Sequence, residues 1–270
     1  MYPQSRVLII AGSDSSGGAG IQADIKTVTL FGSYAMTAVT AVTAQNTMGV
    51  KKITPIPKKN VQKQIMMILD DIGADAVKIG MLYNVSIIKG VHHILKKYNL
   101  KNIVIDPVMV AKGGARLINN NSITYLKKLL LPLAKLITPN IPEAEVLSGC
   151  SISNKEDMIQ AAKKIINMGP KNVLLKGGHL KSKMIFDILA TKKEIKVFPK
   201  RKIITKNTHG TGCTLSSALA TCLSQKKSIF KSCKISLKYV DRAITYAPGY
   251  GKGFGPLNHL VLFNSRNTNV

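Results

Sequence analysis

The sequence lacks the marks of several protein classes. Its four cysteines, Cys150, Cys213, Cys222 and Cys233, form no CxxC pair, and no Cys/His cluster has zinc-finger spacing. A disulfide or zinc scaffold is therefore not expected, and a reduced cytoplasmic chain is. No apolar run is long enough to cross a bilayer. The run Val7-Leu8-Ile9-Ile10-Ala11 is too short for a signal core and meets a polar glycine loop at once. It reads as a buried strand, and the chain is expected to be soluble and made without a cleaved leader. Arg is scarce: of 39 basic residues only Arg6, Arg116, Arg201, Arg242 and Arg266 are Arg. Acid is scarcer still, with 13 Asp and Glu and a net charge of +26. Such a balance suggests nucleic acid, but base-edge readers lean on Arg. Here the basic residues are mostly Lys, spread singly or in short pairs over helix faces, and no RNP, zinc-finger or basic-zipper pattern occurs. The Lys, Ile and Asn richness is what an AT-rich genome encodes. No specific nucleic-acid partner is expected, only weak polyanion binding.

The 270 residues, 45% hydrophobic, suffice for one large α/β domain or two small ones. Short β-like runs alternate with longer amphipathic stretches. The pattern predicts strands over 7–11, 36–44, 75–79, 102–106, 135–138, 172–176 and 184–190, with shorter pieces near 51–56 and 195–198. It predicts helices over 18–31, 58–72, 84–97, 122–131, 142–148, 155–168, 212–225 and 232–247. No repeat, low-complexity tract or linker divides them. Residues 1–260 are taken as one domain and 261–270 as a loose C-terminal tail. Alternation of this kind gives a mainly parallel central sheet with helices on both faces. Ligands bind such sheets beyond the carboxyl ends of the strands. The chemically suggestive residues fall there: Gly12–Gly20, Gln45, Gly80-Met81, Asp106, Asn140 and Lys176-Gly177-Gly178.

Each motif has a plain and a functional reading. Gly18-Ala19-Gly20-Ile21-Gln22-Ala23 fits GxGxxA, but a polar insert precedes the glycines and the second strand carries no acid for a ribose, so the dinucleotide reading fails. No GxxxxGK[ST] occurs either. What remains is a glycine loop with Asp14 as a cap or as a functional acid. Asn140-Ile141-Pro142-Glu143 reads as an N-cap with its capping-box glutamate, or as a polar pair near Mg²⁺ and phosphates, since Mg²⁺ favours oxygen ligands. His92-His93 belongs to a solvated helix face. His179 and His209 adjoin glycine loops where they can touch phosphate. Met66-Met67 reads as core filler, whereas Met81 and Met109 follow strands and can line a slot for a flat ring. The segment Asn207-Thr208-His209-Gly210-Thr211-Gly212-Cys213-Thr214 reads as a tight loop starting a helix. Its N–H groups and helix dipole suit an anion, such as a phosphoryl group in transit; its plain reading is a turn. The helix start gives Cys213 a reason to lose its proton and act as a base, against the alternative of a small space-filling residue.

Together these segments resemble the hydroxymethylpyrimidine/phosphomethylpyrimidine kinase family, within the ribokinase-like kinases. Seven blocks match in order: residues 11–24, 43–47, 78–82, 106–109, 138–143, 175–179 and 206–213. The resemblance runs from about residue 5 to about 258. It implies a ribokinase-like fold and ATP-dependent phosphorylation of 4-amino-5-hydroxymethyl-2-methylpyrimidine and then of its monophosphate, for thiamine biosynthesis. Pyridoxal kinase shares the scaffold and is the alternative. By position the resemblance gives Gln45, Asp24, Gly12, Met81 and Val108 to the pyrimidine, with Thr43 close by. It gives Asn140, Lys176, Asp106 and Glu143 to ATP and its phosphates, with Asp106 and Glu143 toward Mg²⁺. Gly210, Thr211, Gly212 and Cys213 receive the transferring phosphoryl group. A homodimer is what the family suggests.

Overall fold

The computed structural model describes residues 2–110, 114, 117–180 and 182–264. Among these residues nine strands form one sheet: β1 (Arg6–Asp14), β2 (Tyr34–Asn46), β3 (Gly49–Pro55), β4 (Ala76–Ile79), β5 (Ile103–Ile105), β6 (Leu136–Ile137), β7 (Asn172–Leu175), β8 (Met184–Thr191) and β9 (Ile195–Arg201). Their order is β3-β2-β1-β4-β5-β6-β7-β8-β9. The six strands from β2 to β7 run parallel. At one edge β3 pairs antiparallel with β2; at the other, β8 pairs antiparallel with both β7 and β9. The helices are α1 (Gly20–Leu30), α2 (Lys58–Asp71), α3 (Val85–Lys97), α4 (Asn120–Tyr125), α5 (Ile141–Ser148), α6 (Lys155–Ile166), α7 (Thr211–Ser224), α8 (Ile229–Thr245) and a short α9 (Val261–Asn264).

Local chemistry sets several boundaries. The α3 helix starts at Asn84, whose side chain accepts the Ile87 N–H, and it buries Ile87, Ile88, Val91, Ile94 and Leu95 on one stripe. Asn154 and Ser228 cap α6 and α8 in the same way. The stretch expected as one helix over 122–131 is broken. The α4 helix passes into a wide π turn at Leu126–Leu130 and a tight 3-10 turn at Leu131–Leu133, where Pro132 has no N–H to continue the ladder. The segment expected to be loose is packed at its start, since Val261 is buried; residues 265–270 lie outside the described residues.

The sheet separates two apolar cores, and strand parity decides which residue enters which. In β1, Leu8 and Ile10 join the α2–α6 side, while Val7, Ile9 and Ala11 join the α1–α7–α8 side. Each fully buried Leu or Ile contributes about 1.5–3 kcal/mol. The same alternation puts Val77, Ile79, Ile103, Ile105, Val173 and Leu175 on the first side. It turns Lys78, Asp106 and Lys176 toward the second, where α7 begins. Chain order reverses at β1, since β2 lies on one of its sides and β4 on the other. The crevice beyond β1 and β4 is therefore the place where a doubly wound sheet binds ligand.

Candidate active site

One cleft of about 780 Å³ opens along the carboxyl ends of the strands. Gly12, Gln45, Met81, Asp106, Asn140 and Lys176, each from the end of a different strand, all line it, together with Val108, Glu143 and Gly210–Cys213. The volume is that of a small-molecule site.

The apolar end of the cleft lies at the reversal point. Met81 is buried in a small apolar cluster with Ala41 and Leu117, against which Val108 packs, and the Met81 methyl lies next to Gly12. Thr40 fixes the approach by donating its hydroxyl to the Met81 carbonyl at 2.6 Å. Gln45 is held by backbone: its N–H goes to Ser15 Oγ at 2.9 Å, and Ser15 Oγ donates to its carbonyl at 2.7 Å. Thr43 Oγ1 stands 3.2 Å from Gln45 Oε1 and donates to the Ser13 carbonyl at 2.9 Å. Asp14 is buried and accepts from the Ser16 N–H, the Ser16 hydroxyl and the Ala19 N–H. Its other partner is His209 Nε2 at 2.7 Å. Burial pushes the Asp14 carboxyl up, but the bonds from His209 and Ser16 outweigh it and hold it at about 2. His209, expected where it can touch phosphate, is thus clamped to Asp14 beside Gln45, with its Nε2 3.4 Å from Gln45 Nε2.

The centre is the start of α7. Gly210 is its N-cap with φ of 82°, and no side chain caps the helix. A Cβ on Gly210 would land inside the Gly18 carbonyl, so this loop and the glycine loop after β1 close on each other only through glycine. A Cβ on Gly212 would lie 3.1 Å from Asp106 Oδ2 and 3.4 Å from Lys176 Nζ. Uncapped N–H groups at this turn therefore border an ion pair, Lys176–Asp106 at 3.2 Å. Thr138 Oγ1 supports Asp106 from 3.3 Å. Cys213 sits at the cleft floor, half-buried as a residue. The expectation that the helix start lowers its thiol is overturned. Enclosure of the sulfur pushes it up to about 12, against the pull of Lys78 and of the Gly20 N–H, which points at the sulfur.

At the start of α5, Asn140 and Glu143 form a reciprocal capping box. The Glu143 N–H donates to Asn140 Oδ1 at 2.9 Å and the Asn140 N–H to Glu143 Oε2 at 2.8 Å. The plain reading of the motif holds, and the same two side chains also line the cleft. Burial pushes the Glu143 carboxyl up to about 7, opposed by Lys176 and reinforced by Asp106. Among the described residues no three His, Cys, Asp or Glu group to hold a metal ion. Asp106 and Glu143 still fit Mg²⁺, which takes one or two carboxylates and completes its shell with phosphate and water.

Asp24 departs from expectation. It is fully buried, does not line the cleft, and pairs with Lys78 Nζ at 2.7 Å; Ser217 Oγ donates to its other oxygen at 2.7 Å. Two parts of the cleft carried no sequence signal. One is Lys78 itself. The other is a partly buried trio at the far end, where Lys200 lies 2.8 Å from Asp241 and 3.2 Å from the buried Asp187. Asp187 and Lys200 meet only because β8 and β9 pair with Asp187 opposite Phe198, two residues before Lys200.

A ribokinase-like sheet with an uncapped helix start, an ion pair beside it and an apolar ring slot defines a small-molecule kinase. The comparisons agree. The family described as phosphomethylpyrimidine kinase matches residues 14–258, and the chain belongs to it. The Bacillus subtilis hydroxymethylpyrimidine/phosphomethylpyrimidine kinase is 43% identical over 265 residues, covering 97% of this chain and 98% of that one. The Geobacter sulfurreducens thiamine biosynthesis bifunctional protein is 48% identical over 260 residues, and the chain spans 53% of its length with 96% of its own. The crystal structure of an ADP complex of Bacillus subtilis pyridoxal kinase superposes with a TM-score of 0.89 at 37% identity, covering 96% of this chain and 99% of that chain. No helix among the described residues is long and apolar enough to cross a membrane.

Proposed function

We propose that this kinase moves the terminal phosphoryl group of ATP to the hydroxymethyl oxygen of 4-amino-5-hydroxymethyl-2-methylpyrimidine, and then phosphorylates the monophosphate, in thiamine biosynthesis. The observation that carries the reading is the placement of Gln45, Met81 and Val108 in one cleft with the open start of α7. An amide pairs both a ring-nitrogen acceptor and an amino donor on an aminopyrimidine edge. Met81 and Val108 wall the ring, and Gly12 leaves room for the Met81 methyl. The Gly210–Cys213 backbone then receives the phosphoryl group in flight. Transfer through a loose transition state is mainly positioning and charge stabilisation. Lys176 supplies a fixed positive charge there, and Asn140 an amide on the nucleotide side. Asp106 and Glu143 would hold Mg²⁺, which when bound neutralises phosphate charge. Cys213 can take the hydroxyl proton only as a thiolate, and because the loose transition state asks little of a base, the small ionised fraction that enclosure leaves at neutral pH serves. The reading extends to a cytoplasmic homodimer; the free thiols suit a reducing compartment.

The test is a substrate panel. Mg-ATP should be consumed with the pyrimidine alcohol and with its monophosphate, giving mono- and then diphosphate. Far faster turnover of pyridoxal would hand the site to the alternative. Binding to duplex DNA should collapse on adding salt, as expected of spread lysines without base readers.

A further inference from the structure

Gln45 can read the edge of a ring only if its amide faces one way. Two buried residues bracket that amide: Thr43 Oγ1 stands 3.2 Å from one end and His209 Nε2 3.4 Å from the other. Both have already committed their protons. Asp14 is held ionised and accepts from the Ser16 and Ala19 N–H groups and the Ser16 hydroxyl. A carboxylate only accepts, so His209 Nε2, 2.7 Å away, carries a proton and donates it. Thr43 gives its one hydroxyl proton to the Ser13 carbonyl at 2.9 Å. Toward Gln45, then, Thr43 offers lone pairs and His209 the flank of an N–H. An amide with its oxygen at Thr43 and its nitrogen at His209 sets like against like at both ends. A half-turn about the Cγ–Cδ bond brings the –NH2 to Thr43 and the oxygen to the His209 N–H, which removes both conflicts. The His209 ring is fixed in place. Its backbone N–H donates to the Gly255 carbonyl at 3.0 Å, and its Cδ2 fills the space that a side chain on Gly18 would need.

We propose that His209 and Thr43 are positioning residues for substrate choice, which hold the Gln45 amide with its nitrogen toward Thr43 and its oxygen toward His209. This rests on the kinase reading and deepens it. Held so, the –NH2 keeps a second proton and the oxygen a second lone pair for the substrate. Along the edge of the aminopyrimidine the ring nitrogen N3, the C4 amine and the C5 hydroxymethyl follow in order. The amide –NH2 donates to N3, and the amide oxygen accepts from the amine. The amine therefore falls on the His209 side, with the hydroxymethyl next beyond it. His209 is followed at once by Gly210, the N-cap of α7. The orientation that satisfies the amide is thus the one that sends the reacting hydroxyl toward the N–H groups of α7. The reverse orientation would bring N3 to His209 and carry the hydroxymethyl away from them. A 4-oxo pyrimidine inverts the pattern, because its N3–H donates and its oxygen accepts. Against a fixed amide it meets like with like at both positions.

The experiment compares 4-amino-5-hydroxymethyl-2-methylpyrimidine with its 4-oxo counterpart, by calorimetric binding without ATP and by kcat/KM with Mg-ATP. The parent should prefer the amine by about 1,000-fold or more, as sites that pair a buried polar edge do. His209→Phe keeps a ring and removes the N–H. Thr43→Val keeps the shape and removes the lone pairs. Each takes away one of two holds on the amide, so the preference should fall roughly 10-fold in either variant and roughly 100-fold in the two combined. The KM for ATP should stay within about 3-fold. A purely structural role would weaken both pyrimidines together and leave their ratio alone. Folded variants that keep the parent's ratio therefore overturn the proposal, as does a parent that takes both pyrimidines equally well. Should His209→Phe not fold, Thr43→Val decides alone. A parent that neither binds nor phosphorylates either pyrimidine refutes the kinase reading on this substrate, and the proposal falls with it. A parent that turns over the amine while its variants keep the ratio loses the proposal alone.

Discussion

Two helices aim their N-termini into the same cleft, and they begin in opposite ways. The α5 helix is satisfied internally, with Asn140 and Glu143 each accepting the other's backbone N–H. The α7 helix starts at a left-handed glycine with no side-chain cap. Every helix start leaves backbone donors to be paired. Filling them with side chains, as α5 does, stabilises the fold and leaves outward only what the cap does not use. Leaving most of them open, as α7 does once the Thr211 N–H has gone to the Thr208 carbonyl, forgoes about 1 kcal/mol of capping and leaves donors that suit an anion. On the proposed reading, the capped start presents carboxylate and amide to a nucleotide's metal side, and the uncapped one presents N–H groups to the phosphoryl group.

The comparison breaks most severely at Gly210. Gly210→Ala places a methyl where the Gly18 carbonyl stands and forces a side chain into φ of 82°. Steady-state kinetics should show kcat/KM down about a thousand-fold, roughly 4 kcal/mol, with a lowered Tm. Gly212→Ala separates chemistry from stability. Its methyl approaches only Asp106 Oδ2 and Lys176 Nζ, both movable side-chain ends, and Ala favours a helix over Gly by about 1 kcal/mol. Tm should hold or rise while kcat falls about 100-fold. A full kcat would mean that the α7 start does not border the reacting group.

Much of this architecture was legible in the sequence. Strand ends were readable because βα alternation has one favoured topology, and six chemically suggestive ends point to one edge of a sheet. The α5 box was readable because its spacing is local. Asp24 and Lys78 were not, because β4 is buried on both faces and shows no alternation to say which way Lys78 turns. The Asp14–His209 contact joins residues 195 apart in the chain. Its only local sign was an acid in one glycine loop and an imidazole in another. Cys213 was misjudged for a different reason: the helix-start rule states the dipole and omits the enclosure, and here enclosure wins.

Glu143→Gln tests the capped side. Glutamine keeps the box, so α5 should survive, but the charge toward Mg²⁺ is lost. A drop in kcat of about 10-fold, with Mg²⁺ needed at higher concentration, is expected. Stability gives an independent reading. Because the folded carboxyl is raised to about 7 from its ordinary 4.5, the folded state holds its proton more tightly than the unfolded chain. The parent protein without ligands should therefore lose stability as pH rises from about 4.5 to 7. Urea midpoints at pH 5 and pH 8 should differ less in the variant than in the parent. An unchanged difference would place the titration elsewhere.

The smallest expected effect separates cap from ligand at Asn140. Its Oδ1 is committed to the Glu143 N–H, which leaves the amide nitrogen as the group free to serve a nucleotide. Serine is as good a cap but brings no amide. In Asn140→Ser the Tm should stay within a few degrees, while the KM for ATP rises about 3-fold, the loss of one modest hydrogen bond. Asn140→Ala should add a stability loss of about 1 kcal/mol without a further rise in KM. If the serine variant instead keeps the parent KM and only the alanine variant is impaired, Asn140 is a cap and nothing more. The nucleotide side of the cleft would then rest on Lys176, Asp106 and Glu143, and the contrast between the two helix starts would be sharper still: one wholly structural, the other wholly chemical.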